Sequence, residues 1–227
     1  MSQKLTKNEH VHLLMADAAY GTREAKDELK DKGWKLLKNY SGSETLVFLR
    51  KKVCVLAFRG TNNFTADAMT DLKAIAVSGK ATPNDRRFKE ALKLTNSVMH
   101  NVSADRFYVT GHSMGGTLAQ YAGRYFCISG TSFNPGSTPR GTLTQEMKRA
   151  SEIGAKANGT KAARCNKVKV IRIANFKKDF ATDLVAHYAG KSFPGAKFKD
   201  LKHSPVKNPL KGAALSLHST KNFYKYL

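Results

Sequence analysis

Val11, Leu14, Met15, Ala18 and Ala19 recur at i, i+3, i+4, i+7 and i+8, which predicts an amphipathic helix over residues 8–20, ended by Gly21. Alternation follows: residues 34–40, 44–50 and 53–58 read as three successive strands, with Ser41-Gly42-Ser43 and Lys51-Lys52 as the turns. The third, Val53 to Phe58, is apolar throughout and is predicted to be the most central. Phe88, Ala91, Leu92, Thr95, Val98 and Met99 return to helical spacing and lead to the strand-like run Arg106 to Thr110. Residues 117–123 then read as helix, Ser129 to Asn134 as strand, and 142–157 as helix. Residues 158–166 read as an exposed basic loop, and Lys167 to Ala174 as a buried strand. In the tail, Ser219 is placed to cap a short terminal helix. Residues 73–85, with Pro83 and several small side chains, read as a mobile connection, a cover over a neighbouring site. Strands alternating with helices imply an α/β fold with a mostly parallel central sheet flanked by helices.

With 227 residues, 41% of them hydrophobic, the chain suits one domain spanning 1–227. Its longest apolar run, Val53 to Phe58, falls far short of the roughly 20 residues that a membrane span needs. The first ten residues are polar and lack the apolar centre of a secretory signal, so synthesis in the cytoplasm is expected, with later release or association with a virion left open. Of the three cysteines, Cys54 and Cys127 sit in apolar runs and read as reduced core residues. His10 and His12 flank the apolar stripe of the first helix and read as surface residues; no metal site and no cofactor is expected.

Charge changes the picture. Lysine and arginine total 39 against 17 acidic residues, a formal +22, and the chain from Pro139 onward contributes +14 of it. Such a balance points to a polyanionic partner, either an anionic membrane surface or nucleic acid, although no arrangement of arginines and aromatics resembles a nucleic-acid motif.

The sharpest chemical signal is Gly111-His112-Ser113-Met114-Gly115, preceded by a strand and followed by a helix. A strand-to-helix turn this tight needs glycine on either side of the serine, lifts its Oγ clear of the backbone, and aims the free N–H groups of the helix at a developing oxyanion. Upstream, Arg59-Gly60-Thr61 closes the most apolar strand, where a backbone N–H would face a substrate oxygen. A serine needs an imidazole to take its proton, and the imidazole needs a carboxylate to fix its tautomer. In α/β-hydrolases these follow in the order Ser, acid, His. Downstream of Ser113, only Asp179 and Asp183 lie in a loop just after a credible core strand. The downstream histidines are His187, His203 and His218, the last at the final apolar-to-helix transition. His112 reads as a packing or hydrogen-bonding neighbour within the turn.

These motifs resemble the class 3 (fungal-type) lipases. Val55 to Thr61 resembles that family's strand and oxyanion loop, Asp67 to Leu72 its following acidic segment, Val109 to Gly116 its nucleophile elbow, and Ala18-Ala19-Tyr20 the end of its first helix. Thr131 to Gly136 and His218-Ser219 with Asn222-Phe223 are similar to a lipase-like subset from bacteria and phages. The resemblance implies a small α/β-hydrolase that cleaves lipid esters, triacylglycerol or phospholipid, with Ser113 as nucleophile, Asp179 as acid and His218 as base. It implies Thr61 and Met114 as oxyanion donors. Asp183 stays open as the acid, because the family's Val-Pro after the aspartate is missing here.

Overall fold

Seven strands hydrogen-bond into one sheet whose spatial order is the chain order. They are β1 (Lys35–Leu36), β2 (Thr45–Arg50), β3 (Val53–Phe58), β4 (Arg106–His112), β5 (Ser129–Phe133), β6 (Val168–Ala174) and β7 (Phe198–Lys202). The computed structural model describes residues 4–61, 86–136, 142–174, 193–202 and 220–227. β1, β2 and β3 pair antiparallel, and from β3 to β7 every pair is parallel.

Among the described residues, five α-helices cover the sheet: α1 (Lys7–Ala18), α2 (Arg23–Asp31), α3 (Arg86–Asn101), α4 (Met114–Tyr125) and α5 (Thr142–Ala157). Parallel strands laid down in chain order require right-handed crossovers that all return over the same face. Accordingly α3, α4 and α5 share one core, in which Phe88, Val98, Leu118, Ala122 and Met147 pack against Leu56, Val109 and Val170. The opposite face is closed by α1 and α2, with Leu14, Met15 and Leu29 on Val55 and Ala57. Beside them the terminal 3-10 helix Thr220–Tyr226 seats Phe223 against Leu13, Phe133 and Ile171. With both faces covered, β3 has no reason to alternate, which explains its continuous apolar run.

Helix α1 begins with a reciprocal cap: the Glu9 N–H donates to Thr6 Oγ1 at 3.2 Å, and the Thr6 N–H to Glu9 Oε2 at 2.8 Å. The buried Glu9 carboxylate also accepts from Lys169 Nζ on β6 and from Lys199 Nζ on β7, each at 2.6 Å. One acid therefore pins α1 to two strands.

Several expectations need correction. Residues 34–40 are not one strand: pairing stops after Leu36 and Lys38–Tyr40 form a 3-10 turn. Helix α2 and strand β7 carry no readable pattern, because α2 buries only Ala25 and Leu29 and β7 is a short edge strand whose polar residues do not alternate with apolar ones. Residues 158–166 are not a plain exposed loop, since they include the 3-10 helix Ala162–Cys165. Cys165 is buried and disulfide-bonded to Cys127, so Cys127 is not a reduced core residue; Cys54 is the free, buried thiol. His10 and His12 are partly buried rather than on the surface, because α1 lies flat on the sheet. Burial lowers the pKa of both, His12 to about 4, with its Nδ1 3.0 Å from Thr131 Oγ1. The expected cover at 73–85 and the acidic segment Asp67 to Leu72 lie outside the described residues. Among the described residues, no helix is long and apolar enough to cross a membrane.

Candidate active site

Strand β4 ends at His112 and α4 begins at Met114, so Ser113 alone turns the chain. It does so at φ 58° and ψ −128°. That conformation costs a non-glycine residue on the order of 1–3 kcal/mol and persists only where the surroundings enforce it. Here they do. The Ser113 N–H donates to the Phe133 carbonyl at 3.0 Å, and the Ser113 carbonyl accepts from the N–H groups of Gly136 at 3.0 Å and Thr117 at 3.2 Å. The Thr117 hydroxyl donates in turn to the Gly136 carbonyl at 2.7 Å.

The flanking glycines are a packing requirement. A methyl on Gly111 would overlap the Gly115 carbonyl, and a methyl on Gly115 would overlap the Phe58 carbonyl of β3. Strand, turn and helix pass too closely for any Cβ, which is why the spacing was readable. Ser113 Oγ is buried and has no hydrogen-bond partner among the described residues. An unsatisfied buried hydroxyl costs about 1–3 kcal/mol and is uncommon in a residue kept for packing alone.

Met114 occupies the first position of α4, where a backbone N–H has no intrahelical acceptor and the helix dipole adds positive potential. Phe58 pairs with Gly111, so Gly60 and Thr61 leave the sheet at the same edge as Ser113. Thr61 is half-buried there.

His112 is buried beside the nucleophile turn and acts as a hydrogen-bonding neighbour, as expected. The Tyr20 hydroxyl lies 3.0 Å from His112 Nδ1 and 3.3 Å from the His112 carbonyl. The same hydroxyl receives a backbone hydrogen bond from Gly60, and burial raises its pKa. One tyrosine at the end of α1 thus touches both the turn that carries Ser113 and the strand end that leads to Thr61.

Two further residues shape this edge: Asp17, which left no signal in the sequence, and Asn134, which lies in the Thr131 to Gly136 stretch but had no role assigned to it. Asp17 accepts from Thr220 Oγ1 at 2.9 Å, Tyr224 Oη at 3.0 Å and Thr22 Oγ1 at 3.2 Å. It fastens α1 to the terminal 3-10 helix, whose Phe223 ring sits 6.4 Å from the His112 ring. Asn134, at φ 39°, donates its N–H to the Ile171 carbonyl and accepts the Ile173 N–H on Oδ1, each at 2.9 Å. That clamps the end of β5 to β6. Asp179, Asp183, His187, His203 and His218 lie outside the described residues. The two aspartates follow Ala174, which ends β6, His203 comes directly after Lys202, which ends β7, and His218 comes two residues before Thr220, which opens the anchored terminal helix. Among the described residues, no group of three or more His, Cys, Asp or Glu side chains could hold a metal ion.

A mostly parallel sheet covered on both faces by helices, with a strained serine turn at the C-terminal end of a central strand, defines an α/β-hydrolase. Residues 11–177, about three quarters of the chain, match the Tle-like phospholipase domain, and the chain belongs to that phospholipase-like family. The match supports a hydrolase of the lipase- and phospholipase-like kind its motifs suggested and does not single out the class 3 lipases. No curated protein sequence matches the chain. Among solved structures, the chain is similar to acyl-protein thioesterase 2 of Zea mays, with 18% identity and a TM-score of 0.29 over 60% of this chain and 64% of that one. It thus spans less than two thirds of that thioesterase. It is also similar to acetyl xylan esterase 1 of Thermoanaerobacterium sp., with 13% identity and a TM-score of 0.35 over 97% and 99% of the two chains.

Proposed function

We propose that the protein hydrolyses acyl esters of lipids, phospholipids in particular, through Ser113, His218 and Asp179, with Asp183 as the alternative acid. One observation carries this reading: Ser113 is held in a strained turn at a helix N-terminus with its buried Oγ uncommitted among the described residues. Among the described residues, nothing in the packing of the turn uses that hydroxyl. Membership of a phospholipase-like family supports the lipid ester as substrate.

In this mechanism, His218 takes the Ser113 proton as Oγ attacks the acyl carbonyl. The oxyanion forms against the Met114 N–H and a donor at Thr61, each such donor being worth roughly 3 kcal/mol in the transition state. The alcohol leaves with the proton from His218, and water then repeats the sequence on the acyl-enzyme. The Asp17 clamp supports the assignment of the base, since it fixes the chain two residues beyond His218.

The test is hydrolysis of short and long p-nitrophenyl esters and of phosphatidylcholine vesicles by wild type, Ser113→Ala, His218→Ala, Asp179→Asn and Asp183→Asn. Wild-type turnover that falls by several orders of magnitude in Ser113→Ala and His218→Ala is expected, and the aspartate variant that falls with them identifies the acid. Turnover of Ser113→Ala equal to wild type would overturn the assignment.

A further inference from the structure

The sheet edge opposite Ser113 is basic. Lys51 and Lys52 lead into β3, Arg106 opens β4, Lys167 precedes β6, Lys197 precedes β7, and Arg164 lies on the 3-10 helix ahead of β6. All six are exposed. Two hollows open along this edge and adjoin at Ser129, which lines both. One, of about 730 Å³, has Arg164, Lys167, Lys169 and Lys197 in its wall and no carboxylate among its described lining residues. The other, of about 650 Å³, sets Trp34, Tyr108 and His12 beside Arg50, Lys51 and Arg106, with Asp105 as its one carboxylate among the described lining residues. Both volumes fall in the range of roughly 300–1,000 Å³ usual for ligand sites.

The charges there are largely unspent. Lys169 is committed to Glu9, Lys52 donates to Ser103 Oγ and Lys167 to the Cys127 carbonyl. Lys51, Arg106, Arg164 and Lys197 pair with no carboxylate among the described residues. A row of like charges repels itself until an anion of matching length lies along it. The second hollow adds aromatic surface: Trp34 and Tyr108 are half-buried, and the Arg50 guanidinium carbon stands 5.9 Å from the Trp34 ring centre.

Geometry decides between the two polyanions that the composition suggests. Strand β4 runs from Arg106 at the basic edge to His112 beside Ser113, about 20 Å at roughly 3.3 Å per residue. A bilayer resting on this edge would hold the nucleophile away from its own lipids. A recessed track of cations with aromatic side walls is how proteins hold a single nucleic-acid strand, phosphates on the charges and bases against the rings.

We infer that this edge binds single-stranded nucleic acid, with the phosphate backbone along Lys51, Arg106, Lys167, Arg164 and Lys197 and a base against Trp34. The inference stands independently of the ester chemistry at Ser113.

Trp34 is the only tryptophan in the chain, so its emission reports on this edge alone. The full chain is titrated with an oligothymidylate of about 20 nucleotides, a length that spans one such site. Saturable quenching is expected. Five neutralised phosphates at about 0.7 each give a slope of about −3.5 in log affinity against log salt, roughly a 130-fold loss for a fourfold rise in salt. The double variant Lys167→Glu, Lys197→Glu should bind at least tenfold more weakly, with ester hydrolysis and melting temperature unchanged. Lys89→Glu, Lys93→Glu makes the same change in net charge on exposed positions of α3 and should bind as wild type does. Three results would each overturn the inference. They are no quenching, equal weakening by both double variants, and binding of phosphatidylglycerol vesicles that depends on Lys167 and Lys197 while the oligonucleotide stays unbound.

Discussion

Replacing Glu9 by glutamine removes a charge from a site where two lysines converge. Burial by itself would raise the Glu9 carboxyl pKa, but hydrogen bonds from Lys169, Lys199 and the Thr6 N–H outweigh it and bring the group down from 4.5 to about 2. A depression of that size corresponds to about 3 kcal/mol of stability at neutral pH. Lys169 is 37% exposed in its side chain, against 15% for Lys199 and 7% for Glu9, so screening on one side reduces the expected value to roughly 2–3 kcal/mol. The sign follows from the direction of the shift. The contribution is complete above the unfolded pKa and is lost as pH falls towards the folded one. Urea unfolding of wild type and Glu9→Gln between pH 7 and pH 3 reads the gap directly. It should be full at pH 7 and shrink by more than half by about pH 3, vanishing only below the folded pKa of about 2, where the native carboxyl is protonated as glutamine is neutral. A gap that stays constant with pH would show that glutamine fails for steric reasons and that the carboxylate charge contributes nothing.

Gly115→Ala should cost about 3 kcal/mol or more and lower ester hydrolysis, because its methyl meets the backbone carbonyl of Phe58. Gly159→Ala should cost only about 1 kcal/mol, since nothing lies within 4 Å and only its φ of +57° is offended; thermal melts separate the two. Asp17→Asn puts an amide donor among three hydroxyl donors and should lose roughly 2 kcal/mol. If the terminal helix orients the general base, kcat should fall in that variant with KM nearly unchanged, and an unaltered kcat would break the link.

What could be read along the chain and what could not divide by range. Gly111 is legible because its overlap with Gly115 is created within five residues, Gly115, whose own overlap is with Phe58, is read with it in one short motif around Ser113, and β3 is legible because burial on both faces leaves no polar position. Helix α2 escapes notice because two buried residues suffice to dock it and the other seven are free to be polar. Asp17 and Tyr20 look like ordinary helix-end residues. Their partners, Thr220 and His112, lie 203 and 92 positions away, and only the closed fold reveals the contacts. The disulfide was hidden for the same reason: Cys127 follows an apolar helix and Cys165 sits in a basic stretch, and neither context suggests the other.

That cross-link makes the fold's stability depend on its redox surroundings. Closing a loop across a separation of 38 residues removes chain entropy from the unfolded state worth about 4 kcal/mol. Whole domains are stable by only about 5–15 kcal/mol. Where glutathione and thioredoxin keep thiols reduced, the increment is absent; in an oxidising compartment it is present. The bond joins the residue just past helix α4, which begins at the nucleophile turn, to the 3-10 helix ahead of β6. Reduction should therefore lower the melting temperature without touching any group at the catalytic edge. The same chain is a soft fold in one compartment and a firm one in the other.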